Sequence, residues 1–303
     1  MYLQHFQLKE FPLGITPDTS FFFSSQASQQ ALNTLLVATR AGEGFIKITG
    51  EVGTGKTLLC RQLLQCVGSD FQTAYIPNPC LSPLGLLLEL AEELGADTAT
   101  LGQATEVQQQ HLLLKALSQR LLNLALENKR VLVCLDEVQA MPIETLEALR
   151  LLTNLETEKR KLVQVVIFGQ PELDERLNHP SIRQLKQRIT FDYHVGPLTG
   201  QELARYVDHR MAVAGYDGER VFSAPALWML KWRTRGFPRL VNIVAHKALM
   251  CSYGRGKKSV SFREMKEAIA DTASLRLRAQ HVALAGLAIF ALAMLVVELM
   301  RTV

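Results

Sequence analysis

The stretch GFIKITGEVGTGKTLLC, Gly44 to Cys60, decides how the rest of the chain is read. Its first part, GFIKITG (44–50), is a short apolar run that ends in glycine, the pattern of a strand. KTLLCRQLLQCV (56–67) repeats apolar residues at helical spacing. Between them GEVGTGKT, Gly50 to Thr57, fits GxxxxGK[ST] in the context that pattern requires, after a strand and opening a helix. Its glycines let the backbone curl so that N–H groups point at phosphate oxygens. The helix that starts near Lys56 adds the positive end of its dipole. Gly50, Glu51, Val52, Gly53, Thr54, Gly55, Lys56, Thr57 and Leu58 are therefore expected to bind a nucleotide. Lys56 reaches its β- and γ-phosphates, and the Thr57 hydroxyl helps hold Mg2+.

Working outward, FQTAYIPNP (71–79) reads as a second strand, and helical spacing follows near 83–95 and 106–128. RVLVCLDE (130–137) and LVQVVIFG (162–169) are continuous apolar runs, the kind buried on both faces of a parallel sheet. IETLEALRLLTNLE (143–156) is a helix, and RITFDYHV (188–195) a further strand. Strands alternating with helices predict an α/β fold of P-loop type with a central parallel sheet. After Pro197 the strand patterns stop, and residues 199–274 read as about four helices. The expected organisation is an aromatic arm (1–24), an α/β nucleotide-binding domain (25–197), a small helical lid (198–274) and an apolar segment (281–300). The arm, with Phe6, Phe11, Phe21, Phe22 and Phe23, is read as filling the core of the next domain, a place near a bound base being the alternative.

VLVCLDE ends in two acids. Asp136 is placed to hold Mg2+ through water, and Glu137 to orient and activate an attacking water. The plain alternative is that they cap a helix. Having both acids favours hydrolysis over mere binding. No NKxD-type segment is present, which favours ATP over GTP, and no LSGGQ-like segment is present, which argues against a transporter subunit.

With 48% hydrophobic and 20% charged residues the chain suits a folded core and not a disordered one. A net charge of +4 is too small to identify a partner. The five scattered cysteines form no CxxC pair, which fits reduced thiols. The seven histidines show no metal-ligand spacing. MYLQHFQLKEF has no apolar core of a secretory signal, so the body is expected to remain cytoplasmic.

Further segments follow the acid pair in order: VVIFGQPEL (165–173), IRQLKQRI (182–189) and GFPRLVN (236–242). With GEVGTGKT, LDEVQ (135–139) and the opening ITPDTSFFF, the chain resembles AAA+ ATPases of the ExeA, or general secretion pathway A, type over roughly residues 1–272. Within that type it is similar to the MshM ATPases of MSHA (type IV) pilus biogenesis. The resemblance implies that Gln170 senses the γ-phosphate and that Arg188 reaches the nucleotide of a neighbouring subunit, with Arg183 as its rival. It also implies that Arg239 contacts phosphate from the lid. Each arginine has a simpler reading as a solvated or ion-paired residue. A finger acting between subunits implies a homo-oligomeric ring, a hexamer by family analogy. Implied partners are inner-membrane pilus or secretion components. Relatives of the ExeA type carry a further periplasmic domain that can engage peptidoglycan. Here only Arg301, Thr302 and Val303 follow the apolar run, so peptidoglycan binding is not carried over.

Lys231, Arg233, Arg235, Arg239, Lys247, Arg255, Lys257 and Lys258 occupy a span without an acid. It reads as a solvated face, as contact with anionic lipid, or as contact with a DNA backbone. A DNA-handling ATPase of the transposition-helper or initiator type is thus the competing function, and a non-catalytic scaffold controlled by ATP a third. No helix-turn-helix segment follows the lid. Val282 to Val297 contains no charge, proline or polar side chain. As a helix it would be about 24 Å long, and Arg276 and Arg278 flank its near side. Residues 281–300 are therefore expected to cross the lipid bilayer once, at a bacterial inner membrane, with a buried helix in a soluble oligomer as the alternative.

Overall fold

The computed structural model describes residues 2–98, 105–153, 155–156 and 161–275. They fall into two compact units. One holds Ile15–Val213 with Gly236–Leu240; the other holds the described residues up to Gly14, Ala214–Arg235 and those from Val241 onward.

The first unit is built on five parallel strands: β1 (Phe45–Thr49), β2 (Phe71–Ile76), β3 (Arg130–Leu135), β4 (Val163–Gly169) and β5 (Phe191–His194), in the order β2-β3-β4-β1-β5. Side chains alternate along the central strands. Val131, Val133, Leu135, Val165 and Ile167 face one apolar cluster; Leu132, Cys134, Ile46, Ile48 and Phe168 face the other. This explains the uninterrupted apolar runs, since both faces are covered. The outer strands β2 and β5 are only half-buried or alternate with exposed residues.

Helices α2 (Gln26–Ala41) and α3 (Lys56–Cys66) cover the second face through Ala31, Leu35, Leu59 and Leu63. α4 (Pro83–Leu94), α5 (Glu106–Leu126) and α6 (Ile143–Leu152) cover the first through Leu86, Leu90, Leu117, Leu146 and Leu149. Local chemistry sets their ends. The Ser82 hydroxyl accepts from the Gly85 amide at 3.1 Å, Pro83 opens α4, and Gly95 ends it. Short helices α7 (Glu172–Leu177) and α8 (Arg183–Lys186) follow β4, and α9 (Gly200–Val213) closes the unit. The aromatics from Phe21 pack on α9, with the Phe23 and Tyr206 rings 5.6 Å apart and Arg210 4.6 Å from the Phe21 ring.

The second unit contains α1 (Tyr2–His5), α10 (Ala224–Thr234), most of α11 (Pro238–Gly254) and α12 (Phe262–Asp271). Tyr2 Oη lies 3.0 Å from His246 Nδ1, and the Lys9 amide donates to the Ala214 carbonyl at 2.8 Å. Residues 2–14 thus belong to this unit and those from Ile15 to the sheet unit. Among the described residues no helix is long and apolar enough to cross a membrane. The span expected over 281–300 lies outside the described residues.

Candidate nucleotide site

The site lies where β1, β3 and β4 end side by side. The loop after β1 begins with the Gly50 amide donating to the Gly169 carbonyl of β4 at 3.2 Å. Gly53 has φ +80°, and a Cβ there would lie 2.4 Å from Arg239 Cβ, so conformation and space both call for glycine. Gly55, at φ +97°, is the N-cap of α3 and faces open space. Thr54 is buried and its hydroxyl donates to the Glu51 carbonyl at 3.0 Å, bracing the turn, while Glu51 and Val52 are exposed.

Lys56 is buried at the first position of α3. Its Nζ donates to the carbonyls of Gly50 and Glu51 at 2.8 and 3.1 Å and makes no salt bridge among the described residues. Burial pushes its pKa below the ordinary lysine value, and the more distant Glu137 and Asp136 offset only part of this. A buried ammonium held by neutral carbonyls beside a curled loop is a receptor for an anion. Next to it, Thr57 Oγ1 donates to Asp136 Oδ2 at 2.5 Å. Burial raises the Asp136 pKa above the usual carboxylate range, against the hydrogen bonds from Thr57 and the Glu137 amide. A hydroxyl and a buried carboxylate meeting here form an all-oxygen donor set that suits a hard divalent cation such as Mg2+.

Glu137 follows at φ +52°, an uncommon conformation for a side chain of this size, which ends β3 and turns the carboxylate aside. Its Oε2 accepts from Gln139 Nε2 at 2.5 Å and from Gln170 Nε2 at 3.0 Å. The Gln170 amide in turn donates to Gln139 Oε1 at 3.0 Å. Glu137, expected at the end of one strand, and Gln170, expected just beyond another, are therefore joined directly.

The arginines divide. The Arg239 amide donates to the Gly53 carbonyl at 3.2 Å and its side-chain carbons pass close to Gly53, beside the loop. Arg188 is half-buried, with Nη1 donating to Thr153 Oγ1 at 3.1 Å at the end of α6, and is not gathered with the loop residues. Arg183 is exposed at the start of α8.

Residues 39–177 match the AAA domain family. Over 279 residues the chain is 39% identical to General secretion pathway protein A of Aeromonas hydrophila, a match covering 91% of this chain and 49% of that protein. The chain is thus similar to a general secretion pathway A protein over nearly all of its own length, with an AAA domain match in its first part. It spans about half the length of that relative. Among solved structures, the Aeropyrum pernix ORC2 protein in ADPNP-ADP complexes matches with a TM-score of 0.60 at 20% identity, over 82% of this chain and 68% of that one. Drosophila ORC bound to DNA matches with a TM-score of 0.63 at 18% identity, over 88% of this chain and 65% of that one. At such identities the likeness establishes the fold alone.

Two features of this site and its surroundings escaped the sequence reading. Gln139 sits two residues past Glu137 in LDEVQ, and only the turn after β3 brings its amide back to the acid. Lys47, in the middle of β1, is buried and paired with Asp174 and, at 2.7 Å, with Asp192. A lysine inside an apolar strand pattern was the available signal.

Proposed function

We propose that this chain binds ATP with Mg2+ and hydrolyses it, and that it does so to support assembly of a type IV (MSHA-like) pilus or a secretion apparatus. The observation that carries the reading is the meeting of Lys56, Thr57, Asp136 and Glu137 beyond the ends of β1 and β3, the two strands that flank β4. The loop amides and Lys56 bind the phosphates. Thr57 and Asp136 would hold Mg2+, which when bound neutralises charge on phosphate oxygens. Glu137 orients the attacking water and accepts its proton. Gln170, bonded to the same carboxylate oxygen, reports the γ-phosphate to that base. Arg239 contacts phosphate from beside Gly53.

In this reading the chain works as a homo-oligomeric ring, hexameric by analogy, with Arg188 or Arg183 serving the neighbouring subunit's nucleotide. Exposed Arg183 is at hand for that role, whereas Arg188 must first leave Thr153. Segment 281–300 anchors it at a bacterial inner membrane with the main body in the cytoplasm, next to pilus or secretion components. The relative's role in general secretion supports the machine; the apolar run supports the anchor.

Replacing Glu137 by Gln should lower ATP turnover at least about a hundred-fold while leaving nucleotide binding intact. Unchanged turnover would overturn the hydrolytic role. Absence of turnover in the parent protein would favour the scaffold, and recovery of replication or transposition proteins with the membrane-bound chain would favour DNA handling.

A further inference from the structure

Helix α10 buries Ala226, Leu227, Leu230 and Thr234. Trp228 and Trp232 lie on its other side, 65% and 62% exposed. They are one helical turn apart, and their rings stack with centroids 6.2 Å apart and planes 9° from parallel. A pair of indoles this exposed presents a large apolar area to water. Positive charge surrounds it. Arg233 Cζ lies 5.4 Å from the Trp232 ring centre, and Lys231 Nζ donates to the carbonyl of exposed Arg235 at 3.3 Å. No Asp or Glu occurs from Val221 to Phe262. Elsewhere in this unit Lys247 pairs with Asp271 at 2.7 Å, and Arg255 with Glu264 and Glu267 at 2.9 and 2.5 Å. Exposed aromatic area and basic charge therefore coincide at the C-terminal end of α10.

The position of this end matters. Arg233 Nη2 also donates to the carbonyl of Leu275. Seven residues later the sequence enters the uncharged run that begins at Val282. Seven residues of chain reach at most about 25 Å. The tryptophan face is thus tied within that distance of the segment read as the membrane anchor.

We infer that the Trp228–Trp232 face, with Lys231, Arg233 and Arg235, docks on an anionic lipid surface. Indole suits the headgroup zone because its body is apolar and its N–H is polar. The cations add attraction to lipid phosphates, and stacking has already fixed the two rings in place. The inference rests on the membrane reading proposed above, but the two can fail separately.

The sequence contains two tryptophans, so all indole emission reports on this helix. The full chain would be reconstituted into vesicles of phosphatidylcholine alone or mixed with phosphatidylglycerol. Its indoles would then be challenged with aqueous iodide and with brominated lipid. In the anionic vesicles, emission should shift to the blue, iodide quenching should fall several-fold, and brominated lipid should quench. The double variant Lys231→Glu, Arg235→Glu should lose most of this protection while keeping its far-ultraviolet circular dichroism. Indoles that stay open to iodide in anionic vesicles, on protein that resists alkaline carbonate, overturn the docking face and leave the anchor standing. Carbonate release with lipid-shielded indoles removes the anchor and keeps the face. Protection that appears without lipid and grows with protein concentration assigns the face to a second copy. Protection by duplex DNA that salt abolishes assigns it to nucleic acid. Either of these last two results overturns the proposal.

Discussion

Lys47 and Lys56 are nine positions apart, and each is only 5% exposed, yet they are opposite solutions to burying a cation. Lys47 lies within β1 between two carboxylates, Asp174 and Asp192. Burial alone would lower its pKa, but the bonds and charges of these partners outweigh it and the net shift is upward. Lys56 has two backbone carbonyls instead, and its net shift is downward. The first ammonium is complete within the protein. The second is desolvated and only partly matched by distant carboxylates, a state that binding of an anion relieves. Burial does not separate a structural cation from a binding one; the charge of its partners does.

The comparison breaks first at Lys56. Lys56→Ala should weaken nucleotide affinity at least about a hundred-fold, near 2.7 kcal/mol, without loss of stability in the nucleotide-free protein. Titration with a fluorescent ATP analogue and a thermal melt test both parts. Lys47→Met should do the reverse. Removing the ammonium leaves Asp174 and Asp192, each about half exposed, without their shared partner. A loss of about 2 kcal/mol in denaturant unfolding is expected, with nucleotide affinity of the folded fraction unchanged. If the Lys47 variant lost affinity as the Lys56 variant does, the division of roles would be wrong.

A smaller effect is expected at Gln139, which holds Glu137 and Gln170 together. Gln139→Ala should lower turnover about ten-fold at constant affinity, read from steady-state kinetics. Asp136→Asn sharpens the contrast through pH. The Asp136 pKa is raised in the folded state by burial, so the stability tied to its protonated form is present in acid and lost as pH rises through that value. The Asn variant should therefore melt a few degrees higher than the parent protein near neutral pH, without Mg2+ or nucleotide. That advantage should vanish in acid, while hydrolysis is lost.

Much of the sheet was legible because VLVCL and VQVVIF have no reading but a strand covered on both faces. The loop was legible because its pattern is local, from Gly50 to Thr57, although Gly169 and Arg239 also hold it in place. Helix α2 was missed although its signals were present. Ser25 caps it, apolar residues recur at Ala31, Leu35 and Ala38, and Gly42 ends it at φ +83°. The preceding aromatics drew the reading toward an irregular arm, and those aromatics in fact divide between two units. The strand read as 130–137 stops at Leu135, because Glu137 takes a left-handed conformation that no spacing rule reveals. Gln139 and Thr153 find their partners only through the folded backbone, so sequence alone could not connect them to Glu137 and Arg188.

The buried pair at Lys47 has a consequence for how β1 finds its place. Ile46 and Ile48 point into the cluster with Leu59, Leu63 and Phe168, so Lys47 points away from it. A slip of one residue against β4 would exchange these faces and drive an ammonium among leucines. Only one register is therefore open to the strand. That register sets Thr49 opposite Gly169 and lets the next residue, Gly50, bond to Gly169. Ile46, Lys47 and Ile48 together thus favour the alignment of the phosphate loop with Gln170 while touching neither.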